Sequence, residues 1–308
     1  MNNNKRPSFR LVNMLRGIMR FPINKTMFFI LMVLYINTVY GQYTGRVINL
    51  HDSTVKDTIR TLDEVIVTAQ LYPQFQKVGE NKQPAWTLVR KFPSTRVYIM
   101  VPKGTVMYEK WFDMRTKRNN GGTEVRMRDE FAFGLAKRLE LDLYLHTVYR
   151  SLGEQSSFGF RGFSWEIRYA LAEWGQIWGN PTLYFEHKLL DGKYQGIEPK
   201  ILLGDRIGKN GIWGVNLIYE GYVAPTRKLQ EREFAYTASY AKIVNDDLTI
   251  GVSNMFRYND VDATQEWYIG PAFQYRFNKN AYINMEILPG LNGDAKQFRN
   301  TIIFGWRF

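Results

Sequence analysis

The chain has 308 residues, no cysteine, 15% aromatic residues and a mean hydropathy of −0.34. The missing cysteine excludes disulfides, thiolate chemistry, cysteine metal sites and a lipidated cysteine behind an export signal. The aromatic content excludes a disordered chain, and the hydropathy excludes a helical membrane protein while leaving room for a barrel, whose lumen residues dilute the apolar ones. The formal charge of +12 is inflated by Lys5, Arg6, Arg10, Arg16, Arg20 and Lys25, which stand with no acid in residues 1–41 and supply half of it. No nucleic-acid partner is therefore expected.

Residues 1–41 read as an export signal. A basic head precedes the apolar run MFFILMVLYI at 27–36, which is too short to span a bilayer as a helix. Val39 and Gly41 suit the small-residue rule, so cleavage is expected after Gly41. A retained membrane anchor is the alternative.

Residues 42–103 read as a periplasmic tail. Within it Asp63, Glu64, Val65, Ile66, Val67, Thr68 and Ala69 place β-branched residues in an extended run that suits addition to the edge of another sheet. The segment resembles the TonB box of TonB-dependent outer-membrane transporters, which implies a TonB-like energy-coupling protein as partner. Those transporters also carry a plug domain and a 22-stranded barrel, whereas only about 240 residues follow Ala69 here.

Residues 104–308 read as an all-β transmembrane antiparallel up-and-down barrel. Period-2 alternation predicts twelve strands over 105–115, 123–137, 139–150, 159–171, 181–189, 195–206, 211–222, 232–243, 247–258, 265–277, 279–288 and 297–308. Short turns are expected at 137–138, 208–211, 244–247 and 278–280, the last three carrying Gly, Asn or Asp, which tolerate turn geometry. Longer polar loops are expected near 116–122, 151–158, 190–194, 223–231, 259–264 and 289–296 and would lie outside the cell. Residues 172–180 form a longer connection on the periplasmic side.

Two faces separate along these strands. Leu139, Leu141, Leu143 and Leu145 oppose Glu140, Asp142, Tyr144 and His146; Ala281, Ile283, Met285 and Ile287 oppose Tyr282, Asn284 and Glu286. A charged side chain at the bilayer centre costs roughly 3 kcal/mol, so the polar face must line the lumen. The lumen-lining set is Arg126, Arg128, Glu130, Glu140, Asp142, Tyr144, His146, Glu166, Arg168, Glu186, Lys188, Glu198, Lys200, Glu220, Arg276, Glu286 and Arg299. The signs are interleaved, with no bias toward one ion type. Lys110 departs from the pattern by facing lipid, where a bulge or snorkelling would accommodate it. Pro199 and Pro271 fall inside strands and are read as bulges.

The chain closes on Ile302, Ile303, Phe304, Gly305, Trp306, Arg307 and Phe308, again in period-2 alternation. Gly305, Trp306 and Phe308 resemble the C-terminal assembly signal of bacterial outer-membrane barrels, which implies outer-membrane lipid and the barrel-assembly machinery as partners and the cell outer membrane as location. The segment 130–144 (EFAFGLAKRLELDLY) is similar to a hairpin of small exported barrels classed as outer-membrane transporters, among them the phenol-degradation-pathway type. That resemblance implies a fold and a transport role but no individual functional residue.

Three functions follow from this pattern. One is a narrow channel or transporter for small polar or amphipathic solutes; the second is a non-conducting structural or accessory barrel with a salt-bridged lumen. The third is an outer-membrane hydrolase, for which Asp142 and His146 share a strand face. His146 is followed by Thr147 and Val148, not by the serine two positions on that outer-membrane phospholipases use, so it is read as a hydrogen-bonding lumen residue. No metal site, cofactor or phosphate loop is expected.

If residues 63–69 pair with an energy-coupling protein, Val67→Pro removes a backbone donor from the added strand. Pull-down on the coupling protein's C-terminal domain should then lose the variant and retain the parent, with the barrel folded in both. Equal recovery would show the match to be accidental.

Overall fold

Each half-polar strand needs a partner on both edges and lipid on its apolar face, and a closed meander supplies both. In the computed structural model, which describes residues 83–308 apart from 120, 153, 192, 193 and 224–228, twelve antiparallel strands form one closed barrel. They are β1 (Val106–Thr116), β2 (Thr123–Ala136), β3 (Leu139–Leu152), β4 (Gln155–Ala170), β5 (Thr182–Leu190), β6 (Tyr194–Ile207), β7 (Gly211–Val223), β8 (Leu229–Ile243), β9 (Leu248–Asn259), β10 (Thr264–Arg276), β11 (Ala281–Pro289) and β12 (Phe298–Arg307). The strand count and the strand centres match the sequence pattern. The signal region and the 63–69 segment lie outside the described residues.

The barrel closes where β1 pairs with β12, in a continuous register from Met107 opposite Arg307 to Thr116 opposite Phe298. Beyond that seam the Phe308 N–H donates to Val106 O at 3.0 Å. The outer face carries Leu143, Leu145, Phe163, Leu183, Ile197, Leu217 and Phe234, all exposed. Water would not favour such a belt; hydrocarbon does. Tyr169, Tyr240, Tyr275, Trp306 and Phe308 stand exposed at the strand ends nearest the C-terminus, as an interfacial aromatic girdle does. This end, which also carries the 137–138 and 208–210 turns, is the one the sequence pattern places in the periplasm.

Several loops differ from expectation. The connection between β3 and β4 spans 153–154 only, because β4 begins at Gln155. The stretch Gln155-Ser156-Ser157 is polar on both faces because it stands above the apolar belt, and there alternation no longer distinguishes strand from loop. The two prolines make no bulge. The β6–β7 register is the same on both sides of Pro199, with only the pairing of 198 and 199 missing. Likewise β9–β10 runs through Pro271 unshifted. Register shifts occur instead at Gly134/Ala136, His146/Thr147 and Tyr222/Val223. Lys110 does face outward, and it is accommodated by neither bulge nor snorkelling: its Nζ meets Asp129 Oδ2 at 2.7 Å, and Tyr108 donates to Asp129 Oδ1 at 2.6 Å.

The largest departure concerns residues 83–103. The sequence pattern places them in a periplasmic tail; the structure places them inside the barrel. This strap contains a single 3-10 turn (Ala85–Leu88) and no strand. Phe92, Tyr98, Ile99 and Val101 are each 1% exposed, so it is buried from every side. Its two limbs lie together, with Gln83 Nε2 donating to Ile99 O at 2.9 Å. The bend at 90–96 points toward the extracellular half, and both limbs come from the periplasmic end, the second leading directly into β1.

The terminal strand forms the closing seam and Phe308 extends it by a hydrogen bond, so deletion of Phe308 should impair outer-membrane assembly. The readout is the heat-modifiable band of membrane-extracted protein on an unboiled gel. An undiminished band would overturn the assignment of Gly305, Trp306 and Phe308 as the assembly signal.

Candidate functional site

The lumen is organised in layers by what the strap brings to each. At the periplasmic end the contacts are apolar. Trp86, Phe92, Val97, Tyr98 and Ile99 pack on Ala170, Ile212, Ala241 and Ile243 of the wall. Trp174, in the connection between β4 and β5, stands edge-on to Trp86 at 5.4 Å and to Tyr98 at 5.3 Å, and Tyr98 donates to Ala172 O at 2.7 Å. Full burial of a large apolar side chain contributes about 1.5–3 kcal/mol, so these residues anchor the limbs strongly.

Room for them comes from glycines on the lumen face. Gly204 and Gly214 are direct cross-strand partners on β6 and β7. A Cβ on Gly214 would lie 2.9 Å from Thr95 Cγ2 and 3.0 Å from Val97 Cγ2. One on Gly134 would lie 2.0 Å from Pro102 O.

The middle layer is ionic. Glu109, Glu130, Glu140, Asp142 and Glu166 line the β1–β4 wall at 0% exposure, with Arg168 among them. Arg168 contacts Glu140 at 2.9 Å and also pairs with Asp142 and Glu166. The strap supplies the remaining cations. Arg90 grips Glu109 in a two-point pair, Nε to Oε1 at 2.9 Å and Nη2 to Oε2 at 2.5 Å. Arg96 Nη2 donates to Glu130 Oε1 at 2.9 Å and to Tyr144 OH at 2.8 Å. Glu140 Oε2 accepts the backbone N–H groups of Met100 and Val101 at 2.6 and 3.0 Å.

On the opposite wall the contacts are neutral or singly charged. Thr95 meets Thr237 and Ser239 at 3.0 and 2.8 Å, and Asn216 exchanges two hydrogen bonds with the Arg96 backbone. Ser94 donates to Glu286. Lys91 Nζ donates to Gln274 Oε1 at 2.6 Å. Burial, aided by the nearby Arg276 charge, pushes the Lys91 ammonium down to about 7.

Above the strap bend lies a polar cavity of about 390 Å³. Lys188 stands on its wall between Glu198 and Glu220, and Lys200 pairs with Glu198. Arg257 holds Glu233 at 2.7 Å. Arg126, Arg128 and Arg299 line the same space.

The expected lumen set thus faces inward as the alternation indicates, but the structure divides it. Glu130, Glu140, Asp142, Tyr144, Glu166, Arg168 and Glu286 contact the strap or the ionic wall beneath it. Arg276 stands at the periplasmic rim against Asp247 at 3.3 Å, away from the cavity above the strap. Gly305 faces inward and makes room for the Tyr282 ring, while Trp306 and Phe308 face out.

His146 is brought not to Asp142 but to Ser164, Nε2 to Oγ at 2.8 Å; Ser164 Oγ donates to Glu186 Oε1 at 2.6 Å. With its proton committed to the carboxylate, Ser164 accepts from the imidazole. That is the reverse of an activated serine, whose proton goes to the histidine. The trio therefore bridges three strands and offers no nucleophile.

Glu109, Asp113, Arg115, Glu233 and Arg257 are lumen residues that the earlier pattern did not single out, although those on β1 follow from the outward phase of Tyr108 and Lys110. The strap arginines had no such signal.

No family model and no curated protein matches the chain. Solved structures resemble it. One is the COG4313 outer membrane channel from Pseudomonas putida F1, with 13% identity over 69% of this chain and 98% of that one, at a TM-score of 0.47. Another is the NanC porin, with 13% identity over 66% and 98% and a TM-score of 0.43. A third is the P. putida toluene transporter TodX, with 8% identity over 67% and 90% and a TM-score of 0.38. These are likenesses to outer-membrane barrels at low identity.

The three atoms nearest a Cβ on Gly214 all belong to the strap (Thr95, Val97 and Phe92), so Gly214→Leu should unseat the strap and leave the wall intact. Trypsin should then cleave at Arg90, Lys91 or Arg96 in the variant while the parent resists, as read by mass spectrometry. Equal protection would show that the strap can shift aside without leaving the lumen.

Proposed function

We propose that the protein is an outer-membrane channel for small polar or amphipathic solutes, closed at rest by the strap. The observation that carries this reading is the contrast between the two halves of the lumen. The extracellular half is a polar cavity, and among the described residues the strap separates it from the periplasmic mouth. The strap is held by side chains rather than by the sheet ladder. Both limbs reach the same mouth, so it can leave without being threaded through the barrel.

The 63–69 segment suits this reading as a handle. Residues 70–82 join it to the strap and span at most about 45 Å when extended. Strand addition by an energy-coupling protein would place tension on the Gln83 limb, and the apolar anchor would yield before the wall does.

The alternative is a structural barrel that conducts nothing. It is favoured by the ionic wall: removing one partner of a buried pair costs about 3–5 kcal/mol, and the strap engages several.

A strap lock separates the two. Thr95→Cys with Ser239→Cys places two thiols where the hydroxyl oxygens are 2.8 Å apart, in a chain without other cysteines. Closure at rest is an equilibrium, so in planar bilayers the reduced double variant should show brief discrete openings as the strap leaves and returns, and the oxidised one none. Equal conductance in both states would overturn the strap as the gate. Silence in both, with Gly214→Leu also silent and correctly folded, would establish the structural barrel.

A further inference from the structure

The cavity above the strap is not evenly charged. Eight basic side chains of the wall line it against five acidic ones; the strap's Arg90 and Arg96 also reach it but are paired with Glu109 and Glu130 of the ionic wall below, where carboxylates are in excess. The basic surplus is concentrated on β1, β2 and β12.

Arg115 and Arg299 stand directly opposite each other across the closing seam. Like charges in that position destabilise a sheet. Both are turned onto one oxygen of Asp113, at 2.7 and 3.3 Å. Arg126 and Arg150 likewise share Glu124, at 2.5 and 2.8 Å. Arg128 has no carboxylate within ion-pair distance among the described residues. Its guanidinium carbon lies over the Trp111 ring, 4.2 Å from the ring centre. Five arginines thus face two carboxylates, and Arg299 Nε is buried with no hydrogen-bond partner among the described residues.

We infer that this cluster is a binding site for a small organic anion with at least two carboxylate groups, which enters from the extracellular side. The inference names the solute class for the channel reading above and rests on it for its transport role. The chemistry follows from the side chains. A guanidinium presents a planar fork that matches a carboxylate at two points, and Arg128 lines the cavity with the Trp111 ring as its neighbour rather than a carboxylate. Arg115, Arg126, Arg128 and Arg299 come from three adjacent strands, so a ligand with separated carboxylates engages more than one. The cavity volume lies within the range of small-molecule sites. An uncharged solute would leave these cations as they are, sharing two acids, and would gain little.

The test is calorimetric titration of the full-length, closed protein in detergent with citrate, inorganic phosphate and sucrose. Citrate should bind, phosphate more weakly, and sucrose not at all. Arg128→Gln and Arg299→Gln should each weaken citrate binding by roughly tenfold or more, as loss of a charge-assisted two-point contact requires. Arg128→Lys, which keeps the charge and loses the fork, should fall between. Lys279→Gln, on a periplasmic turn, should bind as the parent does. Heat-modifiable migration verifies folding of each variant.

Failure of citrate to bind at millimolar concentration, equal binding of sucrose, or unchanged binding in both arginine variants would overturn the site. Phosphate binding as tight as citrate would overturn the dicarboxylate assignment. Binding is read on the closed protein, so its failure leaves the gated channel standing, and silence in bilayers leaves the site standing.

Discussion

Carboxylates removed from water must meet cations, and that constraint organises the inside of this barrel. Glu109, Glu130, Glu140, Asp142 and Glu166 all point inward from four neighbouring strands, and the wall sets only Arg168 among them. Twelve strands enclose more width than opposing side chains bridge. A second layer is required, and residues 83–103 provide it. Arg90 and Arg96 bring two further cations to this wall, and two backbone N–H groups bond Glu140. The position of the strap, the glycine groove behind it and the shape of the space above it all follow from that requirement.

The same constraint explains why the two ends of the lumen differ in character. Below the bend, the buried carboxylates meet Arg90, Arg96, Arg168 and backbone N–H groups, and apolar side chains pack the periplasmic end. Above it, acids on β5–β8 are each held by a lysine or arginine, but the β1–β2–β12 sector carries arginines beyond its acids. A lumen meant only to brace the wall would gain nothing from like charges placed opposite one another at the seam. The outer face is different: Lys110 and Asp129 within it are matched to each other and further bonded by Tyr108.

How much of this was legible in the sequence depends on how many faces a segment presents. A barrel strand has one face in lipid and one in the lumen, so Leu139 to His146 reveals its register by alternation alone. Strand ends above the membrane have two wet faces, and Gln155 to Ser157 therefore read as loop. The strap has no free face. Its run from Trp86 to Val101 mixes Trp, Leu, Val, Arg, Lys and Phe without a period because each side chain is buried against a different wall, and it passed for a tail. Two indirect signs were present. Gly134, Gly204 and Gly214 fall at inward positions where a filled lumen would favour larger residues, and the inward carboxylates of β1–β4 outnumber their cations. The basic surplus of the upper cavity was hidden because sequence order interleaves charges that the barrel sorts by height.

A loop that enters and leaves by one mouth also has a consequence for biogenesis. It adds no knot, so the β1–β12 seam can zip shut while the lumen is still empty. The strap directly precedes β1, and closing so short a loop carries a modest entropic cost. Its seating is therefore separable in time from insertion, a late local step performed by a barrel already in the membrane. Each newly made molecule would pass through a brief unsealed stage, and the number of leaky pores at any moment would reflect how quickly Arg90 and Arg96 find their carboxylates.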